Sequence, residues 1–135
     1  MNGTSSGFGM RFLRISLLAF TLFLLSASMV EAEAVKILIQ NSPLAGSQYY
    51  AASSVWSEIR VGDRLALIRE PENRHDRHAI RVEWNGHKLG YVPRAENRAA
   101  AQALDAGKTL EARVTRLRED PDPWKRIEFA VYLNL

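Results

Sequence analysis

Asn85-Gly86 constrains this chain more than any other pair of residues in it. A two-residue type I′ turn needs positive φ at both central positions, which Asn and Gly tolerate, and its twist matches the strands it joins. Before the pair, Ile80, Val82 and Trp84 alternate with Arg81 and Glu83; after it, His87 to Val92 again has strand character. The spacing therefore predicts an antiparallel hairpin in which Ala79 to Trp84 returns through His87 to Val92. Ile80, Val82 and Trp84 face the core, because successive strand side chains take opposite faces.

The same alternation frames the rest of the chain. Val35-Lys36-Ile37-Leu38-Ile39 reads as a first strand, with a loop starting at Asn41-Ser42-Pro43. Ser53 to Ile59 reads as a short helical turn with Val55, Trp56 and Ile59 inward, and Val61-Gly62-Asp63 as a turn. In the second strand Leu65, Leu67 and Arg69 alternate with Arg64, Ala66 and Ile68, until Pro71 removes a backbone donor. Pro93 closes the fourth strand. Arg94 to Ala106 reads as one amphipathic helix with Ala99, Ala103 and Leu104 at helical spacing and Gly107 as its C-terminal cap. Thr109 to Leu117 and Ile127 to Leu133 are two final strands around the polar loop Glu119-Asp120-Pro121-Asp122-Pro123. The expected fold is mainly β with short helices: about six short strands and one principal helix, closed into a small barrel because a flat sheet of this size buries too little.

Upstream of Val35 the pattern differs. Arg11 and Arg14 precede an apolar run from Ile15 to Leu25, the layout of a signal peptide, and the run is about half of the roughly 20 residues a spanning helix needs. Val30 and Ala32 suit cleavage before Glu33, and Ser26 and Ser28 offer an earlier site; Met10 is an alternative start to Met1. The expected organisation is thus an N-terminal extension and signal peptide over 1–32 and one domain over 33–135. The domain is exported to the periplasm or beyond, with no stable membrane span after cleavage. An uncleaved anchor or a buried helix is the alternative for the apolar run.

Composition removes several functions. Among 135 residues there is no cysteine, so disulfides, Cys-ligated zinc and thiol chemistry are excluded. Lys and Arg total 18 against 15 acidic residues, a net charge of +3 that favours anionic partners only mildly. No Gly-x-x-x-x-Gly-Lys-Ser/Thr phosphate loop occurs. An enzyme reading, a small metal-dependent hydrolase, rests on His75 and Asp76 as an acid and base pair. His75, Asp76 and His78, with His87 beyond, are weak metal candidates because His-Asp-x-His is not a diagnostic ligand spacing. Neither catalytic residues nor a cofactor are expected.

Three segments carry a family resemblance: Ser42-Pro43-Leu44-Ala45-Gly46-Ser47-Gln48-Tyr49-Tyr50; Gly62-Asp63 with Arg69-Glu70-Pro71-Glu72-Asn73-Arg74-His75-Asp76-Arg77-His78-Ala79-Ile80; and Lys88-Leu89-Gly90-Tyr91-Val92-Pro93-Arg94. In this order and spacing the chain resembles a HIRAN domain over nearly all of residues 33–135. The resemblance implies an OB-like barrel and a non-catalytic module that captures 3′ ends of single-stranded DNA. Carried over by position, Tyr49 stacks on a base and Asp76 accepts a hydrogen bond from the terminal hydroxyl. Asn73 and His75 flank the pocket, and Tyr91 and Arg94 approach base and phosphate. Gln48 stands where a DNA-binding member has arginine, so one phosphate contact is lost there, with Arg74 or Arg77 as candidate replacements.

Bland readings stand beside these. Tyr49 and Tyr50 wedge the loop into the barrel, Asn73 and Asp76 close turns through backbone amides, and Arg94 belongs to a solvated helix face. The partner is then single-stranded DNA or another polyanion or nucleotide. The alternative is an exported structural domain that keeps the fold and engages an envelope protein.

Overall fold

The structure, a computed structural model, describes residues 35–135. The predicted signal peptide and both candidate start sites lie outside the described residues. Among the described residues no helix is long and apolar enough to cross a membrane.

Six strands appear in chain order: β1 (Lys36–Pro43), β2 (Arg64–Arg69), β3 (Ile80–Trp84), β4 (His87–Tyr91), β5 (Leu110–Leu117) and β6 (Ile127–Asn134). Two short α-helices, α1 (Ala52–Val55) and α2 (Arg98–Asp105), lie between them. All pairings are antiparallel, in the order β1-β6-β5-β2-β3-β4. The ends of this order meet: Ala45, just beyond β1, and Tyr91 at the end of β4 exchange two backbone hydrogen bonds of 2.9 Å each. Register shifts at Leu38/Gln40, Val82/Glu83 and Val114/Arg116 supply curvature, since an extra residue on one strand bends it and increases its twist. The result is a small OB-like barrel.

The hairpin forms as its sequence dictates. Asn85 and Gly86 have φ of 45° and 81°, Trp84 pairs with His87, and Ile80, Val82 and Trp84 are buried. They join Phe129, Ile127, Val114, Leu89 and Leu44 in one core. The Trp84 indole N–H keeps a partner there, donating to Asp63 Oδ2 at 3.0 Å.

Three expectations are corrected, the third in part. β1 does not give way to a loop at Asn41; it pairs with β6 as far as Pro43 opposite Glu128, because the bulge after Leu38 lets the strand bend instead of ending. The predicted single helix from Arg94 to Ala106 divides into a 3-10 turn, Arg94–Glu96, and α2. Asn97 sits between them, 1% exposed, and its amide donates to Asp76 Oδ2 at 2.7 Å, which fixes the joint. The buried face of α2 is the predicted one only in part: Leu104 packs on the core, but Ala99 is exposed, and Ala100 and Ala101 are the fully buried alanines. Gly107 does cap α2. With φ of 77° it donates to Leu104 O, while Lys108 donates to Ala103 O, both at 3.0 Å, the paired bonds of a Schellman ending. Arg69 holds the same end, its Nε and Nη2 donating to the Asp105 carboxylate at 2.9 and 3.1 Å.

An ion cluster spans the sheet outside the core. Glu111 on β5 is 9% exposed and pairs with Lys36 of β1 at 2.7 Å, Arg113 at 2.7 Å and Arg64 of β2 at 3.9 Å. The Lys36 and Arg113 contacts outweigh burial and hold the Glu111 carboxyl at about 2, below its ordinary 4.5. A carboxyl depressed on folding contributes stability that is full above the unfolded value and lost as pH falls through the folded one. Glu111→Gln is therefore expected to cost about 1 kcal/mol near neutral pH, a modest figure because the exposed cations are screened. The cost should fade between pH 4.5 and about 2. Urea titrations of both proteins across that range check it; a gap that does not change with pH would refute the role given to Glu111.

Candidate functional site

The sequence places its unusual residues in loops at one end of the barrel, and the closure at Ala45 and Tyr91 brings those loops together. Between them lies a cleft of about 310 Å³. Tyr91, from the end of β4, forms one wall with Tyr50, the ring centroids 5.9 Å apart and edge to face. Asn73, His75 and Asp76, from the loop between β2 and β3, also line it, as does Arg94.

The loop owes its shape to short polar side chains, which close turns on nearby amides. Asn73 Oδ1 accepts from the N–H groups of His75 (2.9 Å) and Asp76 (3.3 Å). Asp76 Oδ1 accepts from the N–H of His78 at 2.9 Å, and its Oδ2 accepts from Asn97. The turn-closing role of Asn73 and Asp76 is therefore real, and it presents the Asp76 carboxylate to the cleft in a fixed orientation. Arg74, Arg77 and Arg94 line an adjoining basic concavity of about 430 Å³ that shares Asn73, His75 and Asp76 with the cleft.

Behind the aromatic wall is a polar group that sequence reasoning missed. Glu70 Oε1 accepts from the Tyr91 hydroxyl at 2.9 Å and from Asn73 Nδ2 at 3.0 Å, and Oε2 accepts from Arg81 at 3.3 Å. Burial pushes the Glu70 carboxyl up, but the Asn73 and Tyr91 hydrogen bonds and the charges of Lys88 and Arg81 together hold it below its usual range. Burial likewise raises the Tyr91 phenol. Lys88 places its ammonium 4.1 Å from the Tyr50 ring centroid and 4.6 Å from that of Tyr91, within cation–π range of both. Burial acts to discharge it, and Tyr91, Tyr50 and Glu70 together more than reverse that. A positive charge is thus held against the Tyr50 and Tyr91 rings.

Of the candidate residues, the structure brings together Asn73, His75, Asp76, Tyr91 and Arg94. Gln48 and Tyr49 stand apart from this wall. Gln48 faces a different concavity, and Tyr49 projects into solvent, 76% exposed, with no part in wedging the loop. Tyr50 does the wedging, half-buried against Tyr91. Tyr49 ends a tight 3-10 turn, Ser47–Tyr49, and Tyr50 follows it in extended conformation; of the two, Tyr50 lines the cleft. Among the described residues, no three His, Asp or Glu side chains are grouped to hold a metal; His75, Asp76 and His78 are tied into the loop through backbone amides instead.

A family model described as the HIRAN domain matches residues 37–135. Two solved structures share the fold. A protein from Lactobacillus plantarum is 28% identical, with 76% of this chain and 98% of that chain covered and a TM-score of 0.65. The HIRAN domain of human HLTF is 20% identical, with 73% of this chain and 77% of that chain covered and a TM-score of 0.54. No curated protein matches the chain in sequence.

Proposed function

Because the chain belongs to the HIRAN domain family, we propose that it is a non-catalytic module that binds single-stranded nucleic acid and prefers a free 3′ hydroxyl end. The observation that carries this is the meeting, in one cleft, of an aromatic wall, a fixed carboxylate and an arginine rim. Tyr91 stacks on a base, and a stacked base is worth roughly 1–3 kcal/mol whatever its identity. Exposed Tyr49 offers a second ring to the strand as it leaves the cleft. Arg74, Arg77 and Arg94 attract the backbone phosphates and make good the charge absent at Gln48. Asp76 accepts from the terminal hydroxyl and repels a phosphate in its place. With the signal peptide read from the sequence, the strand is met outside the cytoplasm, where an envelope polyanion is an equivalent ligand for the arginine rim.

Fluorescence anisotropy with strands ending in a 3′ hydroxyl or a 3′ phosphate, at two or more salt concentrations, tests this. The hydroxyl strand should bind more tightly, with log K falling against log salt at a slope of about −2 if the three arginines each meet a phosphate of a single strand. Failure of both strands to bind would sink the reading.

A second reading, an exported domain that contacts a protein, is favoured by β1, a sheet edge with Ile37 45% and Leu38 57% exposed. It predicts association that salt does not weaken.

A further inference from the structure

Glu70 lines neither the Tyr91 cleft nor the basic concavity, yet its carboxylate is bonded to two residues that line the cleft from different elements, Tyr91 and Asn73. Its own backbone is pinned first. The Glu70 N–H donates to Ala79 O at 3.0 Å and its carbonyl accepts from Asn73 N–H at 3.1 Å, so the residue sits at the neck of the loop between β2 and β3. From the sheet side, Arg81 of β3 holds Oε2, which leaves Oε1 to Tyr91 and Asn73.

A carboxylate only accepts hydrogen bonds, whereas a carboxamide has one accepting and one donating end. Glu70 therefore dictates which way Asn73 faces. With Nδ2 turned to the carboxylate, Oδ1 is left to accept from the N–H groups of His75 and Asp76, as it does. A chain of hydrogen bonds thus runs from Tyr91 through Glu70 and Asn73 to Asp76, and joins β4 to the loop. The same carboxylate works against a polyanion. An anion this close to a cleft flanked by Arg74, Arg77 and Arg94 opposes the attraction that those arginines exert on phosphate.

We infer that Glu70 is a positioning residue for recognition of the strand end: it fixes the Tyr91 ring and the Asp76 loop relative to each other, so that a base stacked on the one brings the terminal hydroxyl to the other. The inference deepens the proposed function and rests on it. Ordering both groups before the strand arrives lowers the cost of ordering them on binding.

A positioning carboxylate and a bystander predict opposite signs. Anisotropy of the intact chain with the hydroxyl-ended and phosphate-ended strands separates them. Glu70→Ala should bind the hydroxyl strand about fivefold more weakly, the worth of one net hydrogen bond, and lose most of its preference for that strand. Removal of a bystander would tighten both strands alike. Glu70→Gln, whose amide oxygen still accepts from Tyr91 and Asn73, should restore most of the preference. Tyr91→Phe keeps the ring and removes only the hydroxyl that Glu70 accepts from. Alone it should weaken the hydroxyl strand; in the Glu70→Ala background it should add nothing, because both changes break one chain. Tyr91→Phe alone carries the test if Glu70→Ala does not fold, and an unchanged preference in it would count against the inference.

Hydrogen exchange supplies a readout without any strand. In Glu70→Ala the His75 and Asp76 amides should exchange about fivefold faster relative to the amide of buried Phe129, which opens only with the domain. Tighter binding by Glu70→Ala, additive losses with Tyr91→Phe, or unaltered exchange would overturn the inference. If the unaltered chain binds neither strand, the strand-binding function fails by itself, and faster exchange in Glu70→Ala still upholds Glu70 as the brace of the loop.

Discussion

Gly90→Ala is expected to lower the stability of the domain by about 3 kcal/mol, since forcing atoms into a packed interior costs roughly that much. For a domain of this size, that is a drop of roughly 15 °C in Tm. The reason is the barrel seam. A Cβ on Gly90 would occupy the space of the Ala45 carbonyl oxygen and lie 3.2 Å from Leu44 Cγ. That carbonyl accepts from Tyr91 N–H in the pair of bonds that joins β1 to β4, and it is backbone in a closed ring, with no rotamer through which to retreat. Gly62→Ala makes the comparison, because its new Cβ meets nothing within 4 Å and only its φ of 91° is unfavourable, at about 1–2 kcal/mol. Thermal denaturation of both variants decides the matter. If Gly90→Ala melts no lower than Gly62→Ala, the seam is not the tight approach described. Because Tyr91 and Ala45 also wall the cleft, Gly90→Ala should weaken strand binding below its melting temperature, whereas Gly62→Ala should not.

The sheet was legible in the sequence where one face of a strand is buried and the other solvated. Ile80-Arg81-Val82-Glu83-Trp84 writes its own register, and Asn85-Gly86 leaves a single turn geometry open. The errors fall where tertiary contacts override local pattern. Nothing in Gln40 to Pro43 announces strand, because that segment takes its order from β6 and from a bulge that alternation cannot reveal. The alanine-rich stretch reads as one helix because alanine is compatible with every helical face. Asn97, the residue that divides it, is explained only by Asp76, 21 positions earlier. The same limit applies to the site. Asn73, His75, Asp76, Tyr91 and Arg94 are candidates through a local loop signature and the family resemblance, and they line one cleft. Glu70 and Lys88 were missed because their roles come from what they face across the barrel, and Tyr50 was ambiguous because adjacent tyrosines in a turn differ only in direction.

Asp76 is expected to carry the second large effect, since under the proposed function it serves both stability and binding. Asp76→Ala removes the acceptor for the Asn97 amide, at 2.7 Å, and for His78 N–H, at 2.9 Å, leaving Asn97 buried with an unpaired donor. An orphaned buried group costs about 1–3 kcal/mol, so the variant should melt lower. It should also lose end recognition. A hydroxyl donating to a carboxylate contributes about 1.5–3 kcal/mol, an order of magnitude or more in affinity, and the carboxylate that repels a terminal phosphate disappears with it. The hydroxyl-ended and phosphate-ended strands should then bind alike, the first more weakly than before and the second more tightly. Asn97→Ala separates the two consequences, because it breaks the same internal bond while leaving the Asp76 carboxylate in the cleft. It should be destabilised to a similar degree and still prefer the hydroxyl end. If Asn97→Ala erases the preference as completely as Asp76→Ala does, the carboxylate acts only by holding the loop in place, and the cleft recognises a strand without reading its end.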